Sequence, residues 1–159
     1  RLLHAAVADA PGLVVDEREL QREGPSYTLE TLRDLRAEIG PQRPLCFAMG
    51  RDAFRGLETW HRWDELVHYA HLIVTTRGGD DAPLSARLQD WLTPRLATAA
   101  AALRQTPAGA VWFQPVSALA ISATGIRALL AQGRSARGLM PEGVWSVLAE
   151  AGLYGYPQV

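Results

Sequence analysis

Four groups of residues in this chain have types and spacing suited to chemistry. Gly50-Arg51-Asp52 directly follows the apolar run Leu45-Cys46-Phe47-Ala48-Met49. At the end of a strand, glycine lets a ligand approach the backbone closely, and Asp52 could accept hydrogen bonds from ribose hydroxyls. On its own, G-x-D reads more readily as a strand-to-helix turn with Asp52 as the N-cap. Ile121-Ser122-Ala123-Thr124-Gly125-Ile126-Arg127 sets two hydroxyls and an arginine at a helix start. Free N–H groups and the positive dipole end suit an anion there, and Arg127 lies one turn in with a fork of donors. Ser and Thr are equally good caps, so phosphate binding and capping both remain open.

The third group is Trp60-His61-Arg62-Trp63. Trp63 stands at helical spacing from Leu66 and Val67 and reads as core, whereas Trp60 lacks such partners and is the better candidate to stack on a heterocycle. His68 and His71 form the fourth group, but no third ligand stands at metal-site spacing, so they read as solvated or core histidines and no metal site is expected. The chain has no G-x-S-x-G, H-E-x-x-H or Walker loop, which removes the main support for hydrolase, zinc-protease and P-loop readings.

These groups need elements to position them. Leu2, Leu3, Ala6 and Val7 recur at helical spacing up to Pro11-Gly12, and Leu13-Val14-Val15 reads as a short strand. After the charged connection from Glu17 to Gly24, Pro25-Ser26-Tyr27-Thr28 offers hydroxyl caps to a helix carrying Leu29, Leu32, Leu35 and Ile39, which Gly40-Pro41 ends. Leu45–Met49 and Leu72-Ile73-Val74 have the continuous apolar pattern of parallel strands buried on both faces, separated by a crossover's length of chain. A polar loop from Gly78 to Pro83 precedes a helix marked by Leu84, Leu88, Trp91 and Leu92 and interrupted at Pro94. Helical propensity also runs from Ala97 to Leu103, Val111-Trp112-Phe113 forms a third strand, and helices follow at Ser122–Gln132 and Pro141–Ala151. Alternating strands and helices predict an α/β fold with a mainly parallel sheet, and nothing divides residues 1–159 into more than a single domain.

Composition narrows the partners. The chain has 159 residues, 48% hydrophobic and 21% charged, with a formal net charge of -1, so it lacks the basic excess of a nucleic-acid or anionic-membrane binder. All 16 basic residues are arginine, so no lysine can grip a phosphate or act as a base. A single cysteine, Cys46, excludes an intrachain disulfide framework, and no apolar run approaches the ~20 residues that span a bilayer. A cytoplasmic location is expected.

In order along the chain, Asp16-Glu17-Arg18-Glu19-Leu20, Pro25-Ser26-Tyr27-Thr28, Gly50-Arg51-Asp52, Thr59-Trp60, His71-Leu72-Ile73-Val74 with Arg77, Ile121-Ser122-Ala123-Thr124 with Ile126-Arg127, and Gly152-Leu153-Tyr154 closely resemble the bacterial nicotinate-nucleotide adenylyltransferases of the nucleotidyltransferase superfamily. The resemblance covers nearly the whole chain. It implies a Rossmann-like nucleotidyltransferase fold and transfer of AMP from ATP to nicotinate mononucleotide, giving nicotinate adenine dinucleotide and pyrophosphate in NAD biosynthesis. It implies that Gly50 and Asp52 hold the adenosine ribose, and that Ser122, Thr124 and Arg127 hold the ATP phosphates. It also implies that Trp60 stacks on the nicotinate ring, with Tyr27, Thr28, the backbone near His61, and Arg77 around the pyridine nucleotide. Mg2+ would accompany ATP as co-substrate. Such a transfer needs two nucleotides held in line more than covalent work from the protein.

The family opens with a glycine-rich first strand and an H-x-G-H motif whose histidines contact the reacting phosphates, and His4, His61, His68 and His71 are not in that pattern. The expectation is that the first strand, its loop and the following helix are absent from this sequence and that residues 1–159 alone are inactive, which leaves no catalytic residue to name. His61 stands where relatives often carry tyrosine. The competing readings are an adenylyltransferase for another phosphorylated acceptor, such as phosphopantetheine, and a non-catalytic nucleotide-binding module. None of these motifs sets an oligomeric state.

Overall fold

The structure is a computed structural model that describes residues 1–77, 82–117, 119 and 121–157. In chain order its elements are helices α1 (Leu2–Val7) and α2 (Thr28–Ile39), strand β1 (Cys46–Gly50), helices α3 (Arg51–Arg55) and α4 (Leu66–Tyr69), strand β2 (His71–Thr76), helix α5 (Ala86–Leu92), strand β3 (Val111–Pro115), and helices α6 (Ala123–Ala131) and α7 (Glu142–Glu150). They group into two compact units, one spanning Arg18–Ser117 and the other made of Arg1–Glu17 and Ala118–Val159.

In the larger unit the sheet order is β1-β2-β3 and both pairs are parallel, as expected. Register runs from Cys46 opposite His71 to Gly50 opposite Thr75, and from Leu72 opposite Val111 to Thr76 opposite Pro115. Parallel neighbours need long crossovers, and α3 with α4 supplies the first while α5 lies in the second. The fold is α/β. Its core gathers Leu29 and Leu32 of α2, Phe54 of α3, Leu57, Leu66, Val67, Leu88 and the sheet residues Leu72, Val74 and Val111.

Burial on both faces holds for central β2 and fails for β1. Phe47 and Met49 turn into the core, whereas Cys46 and Ala48 are exposed. With one strand neighbour among the described residues, β1 follows the two-residue alternation of a half-covered strand. Three further expectations are corrected. Leu13-Val14-Val15 is not a strand but irregular chain, with Val14 88% exposed, because it has no strand to pair with among the described residues. The stretch from Ala97 makes no α-helix: the Ala97 amide donates to the Val111 carbonyl, and only a 3-10 turn, Ala100–Arg104, follows. The hydroxyls before α2 do not cap it. Tyr27 occupies the N-cap position without a side-chain bond, and the Ser26 hydroxyl donates instead to the Glu19 carbonyl. The loop expected from Gly78 to Pro83 falls largely outside the described residues.

The charged connection before α2 is a strap along that helix. Arg18 forks onto Glu38 at 2.9 and 3.0 Å, Arg22 bonds Asp34 at 2.8 Å, and the Thr31 hydroxyl donates to Glu19 at 2.6 Å. At the other end of α2, Arg36 gathers backbone. Its guanidinium donates to the carbonyls of Tyr69, Gly40, Arg43 and Pro107. His71, fully buried, completes this end of the sheet, its Nδ1 accepting from the Ala110 amide at 3.1 Å and its Nε2–H donating to the Thr106 carbonyl at 2.8 Å.

The smaller unit packs α1, α6 and α7 around Leu130, Ala136, Trp145, Leu148 and Ala149. Gly143 of α7 faces Ala5 of α1, where an added Cβ would make ordinary contact with the Ala5 carbonyl at 3.4 Å. Gly152, in the left-handed region at φ 58°, follows α7 and its C-cap Ala151 and opens a 3-10 turn, Leu153–Gly155.

Arg36 should therefore matter more than a surface arginine. Lysine keeps the charge but has no planar fork with which to serve four carbonyls, so Arg36→Lys should lower stability by about 1.5–3 kcal/mol. Urea unfolding checks this through the midpoint at unchanged slope; an unchanged midpoint would show that water satisfies those carbonyls equally well.

Candidate functional site

In a parallel sheet the strand carboxyl ends face the region where ligands sit. Here β1 passes into α3 without a connecting loop, Gly50 being both the last strand residue and the helix N-cap. Gly50 is extended, with φ -74° and ψ 157°, a conformation open to any residue, so what its lack of a side chain provides is space. A Cβ at this position would lie 2.5 Å from Asp52 Oδ1. Asp52 sits in the first turn of α3 but does not cap it. Across the ladder, the Thr75 hydroxyl donates to the Met49 carbonyl at 3.2 Å, leaving its own lone pairs free to accept. These residues with Arg51 and Arg77 line a cleft of about 190 Å3. Two guanidinium groups and one carboxylate make it a place for part of a nucleotide, since sites for whole drug-sized ligands run to roughly 300–1,000 Å3.

A second hollow in this unit, of about 240 Å3, is lined by Ser26, Tyr27, Thr28, Thr59, Trp60 and His61. Tyr27 and His61 stack with ring centres 4.3 Å apart and planes at 27°. Trp60 is not partnerless as its sequence neighbours suggest. It is half-buried and meets the ring of Phe47 edge-on at 6.3 Å, a contact from the preceding strand that helical spacing cannot reveal. Arg62 adopts the left-handed conformation at φ 48°, a strained state for a side chain of its size. That reversal lets His61 stay exposed while Trp63, as expected, enters the core against Trp91. Arg62 is held by a fork onto Glu65, with Nε donating at 2.7 Å. The Glu65 hydrogen bond raises the Arg62 pKa, and Arg62 in turn holds the Glu65 carboxyl below the usual carboxylate range. The fork is thus intact above the ordinary Glu pKa and is lost only as pH falls through the lowered value.

In the smaller unit, Ser122 is the N-cap of α6 and its Oγ accepts from the Gly125 amide at 3.0 Å. Arg127 Nη2 donates to Thr124 Oγ1 at 3.5 Å, and all three side chains are exposed. The capping half of the sequence reading is realised here. Beside this turn, Ile121, Ser122, Gly125, Ile126, Leu129 and Leu139 line a more apolar hollow of about 330 Å3.

The structure thus groups Gly50 and Asp52 with Arg77, and separately Tyr27 and Thr28 with Trp60 and His61. Four lining residues were missing from the sequence-based assignment: Ser26, Arg51, Thr59 and Thr75. Three of them stand inside motifs already singled out, and their adjacency to Tyr27, Asp52 and Trp60 was the available signal. Thr75 becomes visible only through its register with Gly50.

The cytidylyltransferase-like family model matches residues 1–129. A relative from Halorhodospira halophila, named "Probable nicotinate-nucleotide adenylyltransferase", is 51% identical over 99% of this chain and 72% of its own length. This chain belongs to that family. A relative of the same name from Aeromonas salmonicida is 43% identical over 96% of this chain and 71% of its own length. Among solved structures, Plasmodium falciparum nicotinic acid mononucleotide adenylyltransferase complexed with APC superposes with a TM-score of 0.57 at 14% identity, over 84% of this chain. The same enzyme complexed with NaAD matches equally well. This chain spans 61% of the length of the first of these, and the likeness establishes the adenylyltransferase fold. Among the described residues no helix is long and apolar enough to cross a membrane.

The contact between Gly50 and Asp52 yields a direct test. In Gly50→Ala the added methyl must push aside the mobile end of Asp52 and no backbone, so stability should change by less than about 1 kcal/mol. A crystal structure of the variant should show the Asp52 carboxylate rotated away from its place beside residue 50. An unmoved carboxylate would mean that the strand end yields instead.

Proposed function

We propose that this chain serves adenylyl transfer from ATP to nicotinate mononucleotide, giving nicotinate adenine dinucleotide and pyrophosphate in NAD biosynthesis. The observation that carries the reading is 51% identity, over 99% of the chain, to a relative bearing that activity's name. The hollow at Trp60 supports it chemically. A flat pyridine ring suits a space edged by the indole of Trp60 and the stacked Tyr27 and His61, with the Thr28 hydroxyl facing polar substituents while those of Ser26 and Thr59 donate to the Glu19 and Gly56 carbonyls.

In the reaction, a phosphate oxygen of nicotinate mononucleotide attacks the α-phosphorus of ATP. The bond from that phosphorus to the bridging oxygen breaks, and pyrophosphate leaves with the electron pair. Catalysis of this kind is mostly positioning and charge stabilisation. Asp52, with Gly50 clearing its place, accepts hydrogen bonds from the adenosine ribose. Ser122, Thr124 and Arg127 offer hydroxyls and a guanidinium to the ATP phosphates, and Arg77 serves the acceptor nucleotide. Mg2+ would enter with ATP and supply positive charge at its phosphates, beside the hydroxyls of Ser122 and Thr124 and the guanidinium of Arg127; among the described residues no three His, Cys, Asp or Glu side chains cluster to hold a metal ion.

Two substitutions test the assignments. Trp60→Ala should weaken binding of nicotinate mononucleotide by about 1–3 kcal/mol while sparing ATP, as read by calorimetric titration. Unchanged acceptor affinity would return Trp60 to the core. Arg127→Lys keeps the charge and loses the fork, so ATP affinity should fall, and fall further in Arg127→Ala, by about 1.5–3 kcal/mol in total. Equal ATP affinity in all three proteins would leave Ser122 and Thr124 as ordinary caps.

A further inference from the structure

Several arginines in this chain are committed. Arg18, Arg22, Arg62 and Arg137 pair with carboxylates, and Arg36 is taken up by carbonyls. Arg51 is different. Its Nε is buried and, among the described residues, has no hydrogen-bond partner. Its Nη2 makes one long bond, 3.2 Å, to the Ala82 carbonyl, and its guanidinium carbon stands 5.9 Å from the centre of the Phe113 ring. Buried donors are nearly always satisfied, so one left without a partner among the described residues, on a cation that lines a cleft, points to a ligand acceptor. Arg77 lines the same cleft and, among the described residues, is likewise in no ion pair.

We infer that Arg51 is a phosphate-binding residue which, with Arg77, takes a phosphate of a bound nucleotide at the cleft that Asp52 also lines. This rests on the nucleotide reading above and adds a residue to it. The charges fit: two guanidiniums and one carboxylate leave a local surplus of one positive charge, which favours an anionic phosphate over a neutral nucleoside. The geometry fits as well, because guanidinium groups bind phosphate through paired N–H donors, and the cleft has room for a phosphorylated ribose without its base. Among the described residues the tip of Arg51 is held by the single bond to Ala82 and the face of the Phe113 ring, neither of which is an ion pair that a phosphate would have to break.

The phosphate could come from the acceptor nucleotide or from ATP, and matched ligand pairs separate the two. The full 159-residue chain and its Arg51→Gln variant are titrated calorimetrically with nicotinate mononucleotide against nicotinate riboside, and with ATP against adenosine. For one pair, the preference for the phosphorylated ligand should fall about tenfold in the variant, while affinity for the phosphate-free ligand stays unchanged. The pair that falls identifies the owner of the phosphate. Arg51→Lys, which keeps stem and charge, should retain part of the preference, and it carries the comparison if the glutamine variant does not fold. A merely structural role would lower both members of each pair together, and that result, or two unchanged preferences, overturns the inference while leaving the proposed function standing. If the wild-type chain binds none of the four ligands, both readings fall.

Discussion

Much of the larger unit depends on one guanidinium. Arg36 leaves the last turn of α2 and closes on carbonyls from three separate places: the loop that ends its own helix, the end of α4, and the chain leading into β3. Each of those carbonyls lies at the amino-terminal end of the sheet, where a parallel arrangement otherwise leaves connections unanchored. His71 adds to the same anchoring from inside, joining the first residue of β2 to the Thr106 and Ala110 backbone. With that end tied by side chains, the opposite end can carry polar groups that are not all satisfied, and Arg51 Nε, without a partner among the described residues, is one. The division is economical: rigidity sits at one end of the strands and unspent hydrogen-bonding capacity at the other.

The two hollows of the larger unit are built by different means. The cleft at Gly50 is a product of register, because pairing of Gly50 with Thr75 sets which side chains meet across the strand ends. The hollow at Trp60 is a product of chain reversal. The left-handed residue Arg62, fastened to Glu65, sends one tryptophan inward and keeps a histidine outward against Tyr27. Register is hard to alter without disturbing the sheet, whereas an exposed turn tolerates exchange.

That difference also explains what could be read from the sequence. The order of elements, the parallel pairing and the two central runs are written in apolar periodicity, and they appear where expected. What periodicity could not convey was coverage. Cys46 and Ala48 sit in a continuous apolar run yet face outward, because burial depends on which neighbours flank the strand and not on the strand's own residues. The same holds for Leu13 to Val15, β-prone residues without a partner strand among those described. Motif residues such as Asp52, Trp60 and Ser122 were legible through their local company. Arg51 was hidden in plain view, since nothing in G-R-D distinguishes a guanidinium reaching solvent from one held under a ring with a donor to spare. Trp60's contact with Phe47 was unreadable for a related reason: it joins residues from different elements.

The absence of any loop between β1 and α3 has an energetic corollary. Gly50 is simultaneously a rung of the β1–β2 ladder and part of the cleft wall, so occupancy and strand pairing are not independent variables. A ligand that binds only the folded cleft lowers the population in which the last rungs are open, by a free energy that grows with the logarithm of its concentration over its dissociation constant. Hydrogen exchange at the amides of Met49, Gly50 and Thr75 is therefore a gauge of cleft occupancy that requires no catalytic turnover, and it ties the local cooperativity of a three-stranded sheet to the supply of its ligand.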